Sequence, residues 1–89
     1  MNKRVNVWDT FVTRKDGALM HFDILAPVEI TDPEQIYQYG KAYLSTKGQE
    51  GQALSAAQCR FCHIEQLDPS WEQEINENGY FIIEMEGCN

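Results

Sequence analysis

The chain has 89 residues, of which 43% are hydrophobic and 24% charged, a composition typical of one small globular domain with a single core. Fourteen acidic residues against seven lysines and arginines give a formal net charge of −7, which argues against a nucleic-acid partner and against binding to an anionic membrane surface. We therefore expect a single domain over residues 1–89 that binds neither nucleic acid nor membrane.

The N-terminal segment carries Lys3-Arg4 but no apolar run of the length that a secretory signal needs. No stretch of the chain approaches the roughly 20 apolar residues that cross a bilayer. We therefore expect a cytoplasmic protein. In that compartment three cysteines, an odd number, indicate reduced thiols or metal ligands rather than a disulfide framework.

Two apolar runs joined by an Asp-Gly pair predict an N-terminal β-hairpin. Residues 4–13 are rich in β-branched and aromatic types, and residues 18–26 form the second run. Between them Asp16-Gly17 tolerates the positive φ that tight hairpin turns require. The prediction is that residues 5–12 pair antiparallel with residues 19–26.

A two-residue turn at Asp16-Gly17 would also set the register of this hairpin. It would place Phe11 opposite Phe22 and Asp9 opposite Ile24. The predicted core face then consists of Val5, Val7, Phe11, Met20, Phe22 and Ile24. The other face is mixed and consists of Trp8, Thr10, Val12, His21, Asp23 and Leu25.

A first helix is predicted after the hairpin. Thr31 or Asp32 can cap free amides, and Pro33 suits the first helical turn. Apolar residues then recur at helical spacing until Lys47-Gly48, a pair typical of a C-terminal end.

A strand, a second helix and a last strand complete the chain. Residues 59–67 have strand-like composition, Asp68-Pro69 repeats the cap and proline of a helix start, and Asn78-Gly79 closes that short helix. Residues 80–85 are the most apolar strand segment of the sequence, so we expect them to form a central strand.

These elements predict an α+β fold in the order strand-strand-helix-strand-helix-strand. Two strand-helix-strand connections follow one another, and such crossovers are right-handed and pack back on the sheet. We therefore expect a four-stranded mixed sheet, with the N-terminal hairpin as its antiparallel part and both helices on one face.

The strongest candidate for chemistry is the Cys59-x-x-Cys62-His63 cluster, together with Cys88 near the C-terminus. Three thiolates and one imidazole, from His63 or His21, would form a tetrahedral zinc site. Strand alternation would send Cys59 and Cys62 to opposite faces, so this site requires an irregularity between them. The favoured interpretation is that Cys59 and Cys62 are plain structural residues of a strand, and a c-type haem attachment site and a redox-active thiol pair are further alternatives.

Four segments carry a resemblance to a known family: Val7-Trp8-Asp9-Thr10, Met20-His21-Phe22-Asp23-Ile24-Leu25, Cys59-Arg60-Phe61-Cys62-His63-Ile64-Glu65 and Gly79-Tyr80-Phe81-Ile82-Ile83-Glu84-Met85. With them the chain resembles the small bacterial proteins grouped as domain of unknown function 2024. The resemblance covers essentially the whole chain and implies a compact α+β domain. It implies no activity, cofactor or catalytic residue.

The sequence favours a binding or structural, oligomerising module over an enzyme, because it contains no nucleophile elbow, phosphate loop or paired catalytic carboxylates. The mixed face around Trp8, His21 and Leu25 is the expected contact with a second copy or another protein. The alternative function is a zinc-binding or thiol-based module that uses Cys59, Cys62, Cys88 and a histidine.

Overall fold

A computed structural model describes residues 3–88. The elements in chain order are β1 (Arg4–Thr13), β2 (Leu19–Pro27), α1 (Pro33–Thr46), β3 (Cys59–Gln66), α2 (Pro69–Asn78) and β4 (Phe81–Glu86). The α+β class and the predicted order of elements are confirmed. Among the residues of this range no helix is both long enough and apolar enough to span a membrane.

The sheet is antiparallel throughout, so the prediction of a mixed sheet is wrong. Its strands lie in the order β3-β1-β2-β4. The crossover through α1 does make β3 parallel to β2, but β1 lies between these two strands and pairs antiparallel with both. No parallel pair therefore forms. The last strand is also an edge strand beside β2, rather than the central strand expected from its apolar sequence.

The two helices pack on opposite faces of the sheet, which corrects the prediction that they share one. On the face of the even-numbered hairpin residues, Phe22 and Ile24 pack in one core with Ile36 and Leu44 of α1. On the face of the odd-numbered residues, Val5, Val7 and Leu25 pack in a second core with Ile75 of α2. We call these the even face and the odd face. A strand with apolar residues on both faces needs a cover on each side.

The predicted hairpin is confirmed, but its register differs from the prediction by one residue. The Arg14 N–H donates to the Ala18 carbonyl over 2.7 Å, so the turn encloses three residues rather than two, with Gly17 at a φ of 90°. Asp9 consequently lies opposite Asp23, and Phe11 opposite His21. A shift of one residue moves every side chain of a strand to the other face.

This shift also corrects the predicted mixed face. Trp8 belongs to the even face and is buried in the core under α1, whereas Leu25 belongs to the odd face and is buried in the core under α2. His21 shares the odd face with Leu25. The three residues therefore do not form one surface.

The helix starts follow the predicted chemistry. The Asp32 carboxylate accepts a hydrogen bond from the Glu34 N–H at 3.0 Å, and the Asp68 carboxylate accepts one from the Ser70 N–H at 2.9 Å. Each cap is followed by a proline in the first turn. These short local signals fix where α1 and α2 begin.

Candidate functional site

The candidate site lies on the part of the odd face that α2 leaves open. Near the chain termini of the hairpin this face is apolar and buried under α2. Toward the turn it becomes polar, with Asp9, His21 and Asp23 all partly exposed beside Phe11. The observed register brings these four side chains from two adjacent strands onto one surface.

Three of these side chains form a tight cluster. The His21 Nε2 atom lies 2.6 Å from Asp9 Oδ1 and 4.0 Å from Asp23 Oδ1. One ligand atom from each residue lies within 4.8 Å of the other two, and in residues 3–88 this is the one group of three or more metal-ligand side chains that meets that limit. We call Asp9, His21 and Asp23 the carboxylate–histidine cluster.

The imidazole of His21 is held by its neighbour on the opposite strand. The rings of Phe11 and His21 stack with their centroids 4.1 Å apart and their planes inclined by 14°. Stacking on one ring face leaves the ring nitrogens free to point along the sheet toward the carboxylates. Phe11 therefore orients His21, which explains why a phenylalanine stands 41% exposed at this position.

The electrostatics of the cluster make the ionisation of Asp23 unfavourable, in part because the Asp9 carboxylate lies beside it. The pKa of Asp23 is raised from 3.8 to about 6, chiefly by burial and further by the hydrogen bond and the negative charge of Asp9, against the opposing effect of His21 and His63. The Asp23 side chain is only 13% exposed, whereas that of Asp9 is 38% exposed. The cluster thus carries more negative charge than its one histidine neutralises.

A groove of about 340 Å³ adjoins the cluster, with which it shares Asp9, and Phe11 also lines it. Its other walls are Ala57, Gln58 and Arg60, and Arg60 lies opposite Asp9 in the pairing of β1 with β3. The guanidinium group gives the groove a cationic wall. A larger cavity of about 520 Å³ lies between α1 and the loop that precedes β3, and none of the candidate ligands lines it.

The structure places the cysteines predicted from the sequence in three different environments. Cys59 is buried in the core under α1, where its sulfur accepts a hydrogen bond from the Thr10 hydroxyl at 3.4 Å. Cys62 is exposed, and its sulfur lies 3.1 Å from His63 Nδ1. Cys88 is buried, and its thiol lies 3.4 Å from the backbone carbonyl of His21.

Of the five predicted ligands, all within the described residues, Cys62 and His63 bring their ligand atoms into contact, whereas Cys88 reaches the backbone carbonyl of His21 and not its ring. His63 also contacts Glu65 through Nε2 at 2.9 Å. Burial raises the pKa of the Cys59 thiol, which disfavours the thiolate form that binds metal. His21 is the predicted ligand that lies in the carboxylate–histidine cluster.

Asp9 and Asp23 are not among the site residues predicted from the sequence. The signal was present in the alternation of the hairpin, because Asp9, His21 and Asp23 all carry odd numbers and pair across the strands. The predicted register, displaced by one residue, placed Asp9 opposite Ile24 and hid this relation. A three-residue turn would have revealed it.

Comparisons with known proteins place the chain in a family. Residues 3–85 match the model described as Domain of unknown function, DUF2024. The NMR structure of protein NE1680 from Nitrosomonas europaea, a bacterial protein, is 41% identical to this chain and superimposes with a TM-score of 0.83, covering 97% of this chain and 99% of that one. No curated protein matches the chain significantly.

Proposed function

We propose, for a chain that belongs to the DUF2024 family, a binding function in which Asp9, His21 and Asp23 hold one divalent transition-metal ion. The observation that carries the proposal is the convergence of two carboxylates and one imidazole within 4.8 Å on an open sheet surface. Imidazole and carboxylate groups are ligands of zinc and of related transition metals.

The charge of the cluster supports an ion of charge +2. Two carboxylates face one imidazole, and the pKa of Asp23 is raised chiefly by burial and further by the hydrogen bond and the negative charge of Asp9. A divalent cation would offset the cost of ionising Asp23, because it neutralises both carboxylates at once.

The geometry needs only small side-chain adjustments. Metal bonds of about 2.0–2.2 Å to nitrogen and oxygen place neighbouring ligand atoms about 3–3.5 Å apart. The His21–Asp9 contact of 2.6 Å must therefore lengthen slightly, and the His21–Asp23 separation of 4.0 Å must shorten. Rotation of the two partly exposed carboxylates achieves both changes.

The site would keep open coordination positions on its solvent side. Asp9 is 38% exposed and borders the groove, so water or a small ligand can reach an ion held there. Arg60 places a positive charge on the opposite wall of that groove. A bound ligand with an anionic group suits this combination of metal ion and guanidinium.

Calorimetric titration with Zn²⁺ tests the proposal on protein purified without an affinity tag and treated with a chelator. We expect one ion per chain at pH 7, and a loss of affinity of at least about tenfold in Asp23→Asn and in His21→Gln. Mg²⁺ should bind much more weakly, because this hard cation prefers oxygen ligands and retains its waters.

Cys62→Ser and His63→Gln are the matched controls, since they remove ligand-type side chains outside the cluster. Both should bind Zn²⁺ as the unaltered protein does. Zinc that survives Asp23→Asn and His21→Gln but is lost in Cys62→Ser would move the site to the cysteines. Circular dichroism of each variant verifies that the fold is intact.

A further inference from the structure

We infer that two copies of this chain associate through β3, which pairs antiparallel with β3 of the second copy and joins the two sheets into one. The strand is an edge of the sheet, and seven of its eight residues are exposed. Proteins protect such edges with prolines, charged side chains, β-bulges or a covering segment. β3 contains neither proline nor lysine, and the arrangement of its two charged residues and its bulge fits a second copy of the same strand.

Two large apolar side chains on this edge are about half exposed, although Phe61 also packs edge-to-face against Trp8. Phe61 is 51% exposed and Ile64 is 48% exposed. They lie opposite Trp8 and Asn6 of β1 respectively, and both therefore belong to the even face. Exposed apolar side chains that stand together on one edge, rather than singly, are typical of an interaction surface.

The β-bulge in β3 is what places these two residues on the same face. The register with β1 shifts between Val7 and Trp8, and Cys62 is the additional residue in β3. In a regular strand two residues three positions apart point to opposite faces. With the bulge, Phe61 and Ile64 share the even face, while Arg60 and Glu65 share the odd face.

This pattern is symmetric about the point between Cys62 and His63. An antiparallel pairing centred there sets Phe61 of each copy opposite Ile64 of the other, and Arg60 opposite Glu65. Residues that lie opposite each other in an antiparallel pair share a face, and both pairs satisfy this rule. The interface thus contains two Phe61–Ile64 contacts and two Arg60–Glu65 ion pairs, which a twofold axis relates to each other.

The backbone groups of β3 agree with the same register. At one end the Leu67 N–H donates to the Lys3 carbonyl, and at the other the Gln58 carbonyl accepts from the Phe11 N–H, so both residues turn toward β1. Because successive residues of a strand point their backbone N–H and C=O groups to alternate sides, those of Phe61 and Ile64 point away from β1. These are the residues that must exchange hydrogen bonds with the second copy.

The other edge does not offer this symmetry. β4 has six residues, and its exposed part is Glu84, Met85 and Glu86. Two such segments side by side would place acidic groups against each other, which is unfavourable. The charge pattern therefore selects β3, and a second copy of this chain as its partner.

Sedimentation velocity over a range of about 5 to about 500 µM protein tests the inference. We expect a reversible monomer–dimer equilibrium with a dissociation constant of tens of micromolar, as the modest length of the shared strand implies. Glu65→Arg sets arginine against Arg60 of the second copy and should weaken the dimer at least about tenfold. The double variant Arg60→Glu/Glu65→Arg exchanges the charges and should restore it.

Ile64→Lys tests the apolar pair independently and should also leave the chain monomeric. Glu77→Arg makes the same charge change as Glu65→Arg on an exposed position of α2 and should not affect association. A monomer throughout the concentration range, or a dimer that Glu65→Arg and Ile64→Lys leave intact, would overturn the inference. Thermal unfolding of each variant ensures that a monomer is a folded monomer.

Discussion

The odd face of the hairpin is divided into two halves that use the same two strands differently. In one half Val5, Val7 and Leu25 are buried under α2 and contribute to a core. In the other half Asp9, two residues after Val7, and His21, four residues before Leu25, are partly exposed. A helix of ten residues covers only the first half, so the second half keeps side chains that a core would exclude. The half that α2 shields from water stabilises the fold, whereas the half that α2 leaves exposed carries the proposed metal ligands.

The largest expected effect is on the covered half. Leu25 has no exposed surface, and its replacement by alanine should lower the free energy of unfolding by about 2–5 kcal/mol. Urea unfolding followed by circular dichroism measures this. Zinc affinity of the folded fraction should remain unchanged, and a parallel loss of affinity would show that the two halves do not act separately.

An intermediate effect of opposite sign is expected on the open half. Asp23→Asn removes an acid whose pKa is raised to about 6 in the folded protein, and should stabilise the metal-free chain at pH 7 by up to about 1 kcal/mol after solvent screening. Because the folded state binds the Asp23 proton more tightly than the unfolded state, this group favours folding fully below pH 3.8, and its contribution is lost as the pH rises to about 6.

The stability difference between Asp23→Asn and the unaltered protein should therefore grow with pH across that window and become constant above it. Urea unfolding at several pH values from about 3.5 to about 8 gives the curve. A difference that does not depend on pH would remove the electrostatic explanation. Glu77→Gln, an exposed acid on α2, is the matched control and should show no such dependence.

The smallest effect is expected at Phe11. Its ring is partly exposed and its main contact is the stack on His21, so Phe11→Ala should cost no more than about 1 kcal/mol of stability. Zinc affinity should fall nonetheless, because the imidazole loses its support. Phe11→Tyr, which keeps the ring, should retain both properties, and calorimetry on the pair of variants distinguishes orientation of His21 from a general loss of structure.

The helices and strands could be predicted from the sequence, but the candidate site could not. The helix ends are set by interactions between residues that are close in sequence, whereas the site depends on how two strands pair. Asp32-Pro33 and Asp68-Pro69 mark helix starts within a few residues of chain, and both predictions are confirmed. The site depends on whether Arg14 bonds to Ala18, a choice of turn that moves every residue of β2 to the other face. Asp-Gly permits both turns.

The position of β4 in the sheet could not be predicted from its local sequence for a related reason. Residues 80–85 are apolar because Phe81 and Ile83 pack in the core under α2 while Ile82 packs against the core under α1. The same composition fits a central strand with both sides buried. Only the pairing of β4 with β2 distinguishes the two arrangements.

The strand order also favours one order of folding events. Within residues 3–88, β3 pairs with β1 alone and β4 with β2 alone, so each outer strand docks on one edge of the central hairpin. The hairpin closes across a short turn, whereas β3 and β4 must each return over several tens of residues, and contacts of such long range form slowly. We therefore expect the folding transition state to contain the hairpin in nearly native form, with the two outer strands docking onto it afterwards and independently of each other.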